Sequence, residues 1–213
     1  MSLKAGDAAP NFDIVDTNGN KLTLADLGTQ KAWLTLYRPS ACPMCNLQVS
    51  RIKKRYTELT KNGMKIIQVF ESTPAEMKSF AGTQVTAEFP IYVPAPDSNF
   101  QIYRDYHRQR SCMGSAMGKA FPYHMCVDGK FWPGMAKFGA NPKFGCPLMN
   151  PSGFYQLMCT SRGLFTMPTD VLIEDGKVVN AFYGDTIGKH LDISIVEEFA
   201  GISGAVSGQE MTR

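Results

Sequence analysis

KAWLTLYRPSACPMCNLQVSRIKKRYTELTK, residues 31–61, carries the reading of the whole chain. Lys31 to Tyr37 is nearly all apolar, broken only by Lys31 and Thr35, and this predicts a central strand covered on both faces. A helix is predicted to follow. Cys42 stands near its N-cap, and Pro43 occupies N1, where a missing N–H costs nothing. Cys45, Val49, Ile52, Tyr56 and Leu59 recur at helical spacing, and Asn62-Gly63 ends the run after about Lys61. The pair Cys42-Pro43-Met44-Cys45 therefore sits at a strand-to-helix turn. There the helix dipole and free backbone N–H groups favour a thiolate on the first sulfur. Cys42 is the candidate nucleophile, and Cys45, one turn in, is the more buried partner that closes or opens a disulfide. Two other readings stay open: a pair of structural core cysteines, and a zinc or copper site that would recruit His124 or Cys126. No second Cys-x-x-Cys exists to complete such a site.

Outward from this stretch, strands alternate with helices. Phe12 to Asp16 and Lys21 to Leu24 form an N-terminal β-hairpin around Asp16-Thr17-Asn18-Gly19. Met64 to Phe70 is a second buried strand. A helix through about Phe80 opens with a capping box between Thr73 and Glu76. Phe89 to Val93 is predicted as a strand, and Ser98 is predicted to cap a helix through about Tyr106. Residues 108–163 are rich in Gly, Met and aromatics and broken by five prolines, which reads as an inserted helical and loop segment. Thr169 to Glu174 and Lys177 to Tyr183 pair around Asp175-Gly176, and a last helix covers about Asp192 to Phe199. The fold class is α/β: a central mixed β-sheet with helices on both faces. One domain is expected over residues 1–213. Its core spans about 3–107 and 164–200, the insertion about 108–163, and a Gly/Ser-rich tail 201–213. Right-handed crossovers bring the start of the Cys42 helix to the carboxyl ends of the strands, where open α/β sheets carry their sites.

Composition narrows the function classes. The apolar share is 44% and the charged share 19%, ordinary for a water-soluble globular chain. No hydrophobic run is long enough to span a bilayer, so no membrane partner is expected. Met1 to Pro10 lacks the apolar block of a secretory leader, which makes the cytoplasm the default location. Six cysteines in 213 residues are too few for a disulfide framework, and in a reducing compartment a close pair reads as catalytic or metal-binding. Net charge is +3. Residues 101–165 carry eight Lys/Arg against two Asp/Glu, yet no nucleic-acid motif accompanies them. Cys112, Cys126, Cys146 and Cys159 lie in the insertion beside Met113, Met117, Met125, Met135, Met149 and Met158. They read as core filler, a resolving thiol, or an apolar patch through which two copies associate as a homodimer.

Met167-Pro168 directly precedes a strand, which fits either a cis Pro or an ordinary trans Pro at a strand start. Arg38 could lower the Cys42 pKa or be solvated. Ser40 could donate to the thiolate or organise the turn.

LKAGDAAPNFDIVDTNGNKLTL (3–24), YRPSACPMC (37–45) and TMPTDVLIEDGKVVNAFYG (166–184) together resemble the thioredoxin-fold superfamily, and more closely its peroxiredoxin-like, AhpC-TSA (redoxin) branch. The resemblance covers roughly residues 3–107 and 164–200. It implies a thioredoxin fold, thiol redox or antioxidant chemistry, no cofactor beyond the Cys42–Cys45 disulfide, and a cis Pro168 beside Cys42. Its two halves place the reactive sulfur differently. Thioredoxins attack with the first cysteine, here Cys42. Peroxiredoxins carry Thr or Ser there and react with peroxide through the position of Cys45. The peroxiredoxin Pro is matched by Arg38, with Pro39 one place late, and its later Arg falls near Phe165, with Arg162 out of register. The Trp and buried Asp of thioredoxins are replaced by Ala41 and Leu36. Glu71 is the candidate substitute for the missing proton-transfer group, or else a solvated acid. The expected activity is thiol-disulfide exchange with Cys42 attacking and Cys45 resolving, supported by Arg38, Ser40, Met167 and Pro168. Its partners would be a disulfide substrate and a thiol reductant, protein or small molecule. A thiol peroxidase acting on Cys45 or Cys42, and a non-enzymatic metal carrier or redox-sensing module, are the alternatives.

Overall fold

The computed structural model describes residues 2–40, 42–80, 89–106, 167–186 and 188–202. Seven strands form one mixed sheet: β1 (Asp13–Asp16), β2 (Lys21–Thr23), β3 (Ala32–Leu36), β4 (Lys65–Val69), β5 (Tyr92–Pro94), β6 (Thr169–Glu174) and β7 (Lys177–Tyr183). Their spatial order is β2-β1-β5-β4-β3-β6-β7. β3, β4 and β5 run parallel. β1 pairs antiparallel with β5, and the β6–β7 hairpin joins antiparallel to the other side of β3. Five α-helices accompany them among the described residues: α1 (Pro43–Lys54), α2 (Tyr56–Leu59), α3 (Pro74–Phe80), α4 (Gln101–Asp105) and α5 (Ile193–Phe199).

The apolar run at 31–37 explains this arrangement. Every residue of β3 is fully buried, and alternate side chains feed two cores on opposite faces of the sheet. Trp33 and Tyr37 join Val49, Ile52, Leu172 and Val196 on one face. Leu34 and Leu36 join Ile67, Val171, Ile102 and Tyr103 on the other. The Tyr103 hydroxyl donates to the carbonyls of Tyr37 (2.9 Å) and Val69 (3.1 Å), tying together the ends of β3 and β4. No helix among the described residues is long and apolar enough to cross a membrane.

Local chemistry accounts for the hairpins and caps. Asp16 accepts from the Asn18 and Asn20 backbone N–H groups, closing the first turn. The turn of the last hairpin holds Asp175 at φ 51° and Gly176 at φ 67°, the left-handed pair that matches strand twist. Thr73 and Glu76 form the predicted reciprocal capping box. Asp192 caps α5 by accepting from Ser194 N–H.

Four expectations need correction. The helix predicted to about Lys61 is interrupted at Arg55, whose backbone leaves helical geometry (φ −109°, ψ 7°). Its guanidinium is drawn to Glu58 and to the buried carboxylate of Glu197 on α5. The strand predicted at Phe89–Val93 pairs only as Tyr92–Pro94, mostly with β1. Ser98 does not cap α4. It ends a 3₁₀ turn and donates to Ala95 C=O, and Asn99 and Phe100, both at positive φ, delay the helix to Gln101. Finally, no peptide bond among the described residues is cis, so Met167–Pro168 is trans. Pro168 lacks only an N–H. Its carbonyl accepts from Gly184 N–H at 3.0 Å and continues the β6–β7 ladder, as a strand-start proline can. The predicted insertion at 108–163, its four cysteines and the tail lie outside the described residues.

Candidate active site

The site is built where β3 gives way to α1. Tyr37 N–H donates to Val69 C=O, extending the parallel ladder by one residue. The chain then turns, and Cys42 N–H donates to Pro39 C=O at 2.8 Å. Cys42 takes the extended conformation of an N-cap (φ −73°, ψ 114°), with Pro43 at the first helical position. Asn46 fastens the turn from inside the helix, its side-chain amide donating to the Ser40 and Cys42 carbonyls at 2.7 and 2.9 Å. Asn46 belongs to no motif in the sequence. A polar residue one turn into an otherwise inward-facing stripe was the available signal.

Cys42 and Cys45 are both reduced and fully buried. Their environments push their ionisation in opposite directions. Burial works against a Cys42 thiolate, but the Cys45 thiol and the Arg38 charge outweigh it, with the Cys45 backbone N–H adding to them. The result is a Cys42 pKa of about 5, against roughly 8.5 for a free thiol. Burial pushes Cys45 well above the ordinary thiol range, and its hydrogen bond to Cys42 and the negative charge there push it further. At neutral pH the pair holds one thiolate, on Cys42, and one proton, on Cys45.

Arg38 is the cation that makes this possible. It is 4% exposed, and its Nη1 lies 3.2 Å from Cys42 Sγ. Of the two readings left open for Arg38, the solvated one is excluded. Ser40 takes the other course. Its N–H and its hydroxyl both engage the Ser72 hydroxyl, and it donates to Glu76 C=O at 3.4 Å, so it organises the turn and the start of α3. Met167 is buried, and Pro168 packs beside Gly184. Glu71 is buried too, rather than solvated. Among the described residues no three His, Cys, Asp or Glu side chains converge as a metal site. His124 and Cys126 lie outside them.

The same sheet face carries a feature that the sequence did not bring forward. Asp170, in register with Thr35, is fully buried inside β6. It accepts from Thr35 Oγ1 (2.7 Å), Trp33 Nε1 (3.2 Å) and Leu191 N–H (2.9 Å), and pairs with His190 Nδ1 at 3.0 Å. Burial opposes its charge, but His190 and these donors hold its carboxyl below the usual range. Its sequence signal was an acid between Thr169 and the apolar Val171-Leu172-Ile173, masked by an alternation that also suits a solvated face.

Comparisons with known proteins bear on the fold and the family. Peroxiredoxin Bcp of Escherichia coli (strain K12) is 30% identical over 79 residues, 37% of this chain and 51% of that protein. The chain spans about half the length of the curated relatives it matches. Among solved structures, the fold resembles peroxidoxin BcpB from Mycobacterium tuberculosis (TM-score 0.58, 12% identity, 95% of this chain and 99% of that one). It also resembles the thioredoxin domain of a thiol-disulfide oxidoreductase from Bacteroides vulgatus (TM-score 0.53, 16% identity, 93% and 99%). These likenesses establish a thioredoxin fold. The AhpC/TSA family model matches residues 5–130, more than half of the chain, and the protein belongs to that family.

Proposed function

We propose that the protein is a thiol-disulfide oxidoreductase in which Cys42 attacks and Cys45 resolves. The observation that carries this reading is the opposed ionisation of the two sulfurs beside Arg38. A thiolate is the nucleophile of disulfide exchange, and a neighbouring thiol that stays protonated is held back until it is needed. Cys42 Sγ attacks one sulfur of a substrate disulfide, forming a mixed disulfide and expelling the other sulfur as a thiolate. Cys45 then loses its proton and attacks Cys42 Sγ, which closes the Cys42–Cys45 disulfide and releases the second substrate thiol. A cytosolic thiol reductant, protein or small molecule, returns the pair to the dithiol, with no cofactor besides the pair itself.

A second reading is thiol peroxidase activity, favoured by Arg38. Its N–H at the thiolate could also hold a peroxide oxygen and stabilise the departing one. On this reading Cys42 becomes the sulfenic acid and water or an alcohol leaves. Cys45 then condenses with the sulfenic acid to the disulfide, releasing water. Cys45 itself, buried and held protonated, is the poorer peroxide nucleophile.

One experiment tests both. The reduced protein and its Cys42→Ser and Cys45→Ser variants receive one equivalent of either a small aromatic disulfide or hydrogen peroxide, and mass spectrometry locates the first adduct. A mixed disulfide on Cys42 that accumulates in Cys45→Ser supports exchange. A sulfenic acid forming faster than the mixed disulfide moves the reading to peroxidase. A first adduct on Cys45 in the unmodified protein refutes both.

A further inference from the structure

Resolution of the mixed disulfide requires the neutral, fully buried thiol of Cys45 to give up its proton. The sheet face that carries the thiols also carries a titratable couple with no part in the steps above. Asp170 fixes the His190 ring through Nδ1, with Leu191 N–H on the same carboxylate oxygen. In a neutral ring, an ionised Asp170 accepts the hydrogen bond from Nδ1–H, and Nε2 then carries the lone pair. Nε2 is buried and has no hydrogen-bond partner among the described residues. The imidazole side chain is 5% exposed.

Three observations bring this nitrogen's surroundings to the thiols. The His190 ring lies 5.3 Å from the Tyr37 ring, centroid to centroid. Tyr37 belongs to the same core cluster as Cys42, Cys45 and Leu191, the residue after His190. The segment leading to His190 lies over the motif itself: a Cβ on Gly188 would stand 2.9 Å from Cε of Met44, between the two cysteines.

We propose that His190, oriented by Asp170, is the proton acceptor for Cys45 in the resolving step; this rests on the exchange reading above. The Cys45 S–H bond breaks, and its proton passes to His190 Nε2. The Cys45 sulfur then bonds to Cys42 Sγ, and the bond from Cys42 to the substrate sulfur breaks. That sulfur leaves with the electron pair and takes up a proton from solvent or from the imidazolium. Two enzyme thiols are oxidised and one substrate disulfide is reduced to two thiols. Asp170 is the positioning residue. It fixes the tautomer and stabilises the imidazolium formed in passing. Among the described residues, the charged and titratable groups that these contacts tie to the path include Asp170 from β6, Tyr37 just past β3, and Arg38 with the thiol pair at the turn into α1.

The test follows the full-length protein after addition of a small aromatic disulfide. Samples are acid-quenched, and mass spectrometry reads the Cys42 adduct and the Cys42–Cys45 disulfide from pH 5.5 to 9. In His190→Gln, adduct formation on Cys42 should stay within about twofold of wild type, while conversion to the internal disulfide slows at least tenfold at pH 7. That second rate should recover as pH rises and hydroxide takes over the proton. Asp170→Asn should give the same pH signature with a smaller loss. A second rate within twofold of wild type in both variants overturns the proposal. So does a parallel slowing of both steps, or loss of folding in both variants, each of which assigns the couple to the core alone. A first adduct that does not need Cys42 overturns the exchange reading instead, and the first phase reports that separately.

Discussion

Replacing Arg38 by methionine tests the electrostatic basis of the site. Methionine keeps the length and apolar bulk of the stem but removes the charge that lies 3.2 Å from Cys42 Sγ. Two unit charges at that separation attract by about 1.3 kcal/mol in a water-like dielectric and about 5 kcal/mol at an effective value of 20. At about 1.4 kcal/mol per pKa unit, loss of the charge raises the thiol by about 1 to 4 units. Both groups are fully or almost fully buried, which favours the upper half of that range. From a starting value of about 5, the Cys42 midpoint should therefore move to about 7 or above. The assay is the rate of iodoacetamide alkylation at Cys42, followed by peptide mass spectrometry from pH 4 to 10. At pH 6 wild type is about 90% thiolate, and the variant should alkylate at least tenfold more slowly. Toward pH 10 the two rates should converge, because Cys42 is then largely ionised in both proteins. Arg38→Lys should fall between them, since it restores a charge without the planar fork. A midpoint in Arg38→Met within half a unit of wild type would refute Arg38 as the source of the low pKa and leave the helix start and Cys45 to account for it.

Two further outcomes follow from the same geometry. Because the folded pKa of Cys42 is depressed, its stabilisation is fully present above the unfolded value of about 8.5 and is lost as pH falls through the folded one. The reduced protein should thus gain stability as pH rises between about pH 5 and 8.5 in urea unfolding, and Cys42→Ser should flatten that rise. The raised Cys45 acts with the opposite sign above that window, so stability should peak near pH 8.5. At Gly188 an added methyl meets only the mobile end of Met44, at 2.9 Å, whereas at Gly184 it meets Lys189 C=O at 2.5 Å and Pro168. Gly188→Ala should cost under about 1 kcal/mol in unfolding midpoint and Gly184→Ala about 2–3 kcal/mol. Equal costs would show that the segment from Gly184 to His190 yields as a whole.

Much of the fold was legible because its signals are local. Proline at N1 after Cys42, the capping box at Thr73 and Glu76, and the turn at Asp175-Gly176 each act within a few residues. The corrected boundaries depended on distant partners. Arg55 leaves the helix for Glu197, 142 positions away in sequence, and β5 takes its register largely from β1. The Met167–Pro168 bond illustrates the same limit. A proline before a strand is compatible with either isomer, and the ladder to Gly184 accommodates the trans form found here.

The division is sharpest at the thiols. The sequence by itself determined that two cysteines stand one turn apart at a helix start behind a buried strand, because spacing, proline and hydrophobic pattern are properties of a short segment. Only the tertiary structure decided how they differ. Arg38 could be solvated or buried, Ser40 could serve the sulfur or the turn, and Asp170 could face water or the core. Each choice is made by what the sheet brings alongside: a closed interior where a guanidinium has a thiolate for company, a serine pair linking two strand ends, and a hairpin that sets Asp170 opposite Thr35. Ionisation depends on charge separation and access to water, both set by residues far apart in the chain. The motif therefore announces two neighbouring thiols, and the fold favours the thiolate on Cys42 and the proton on Cys45.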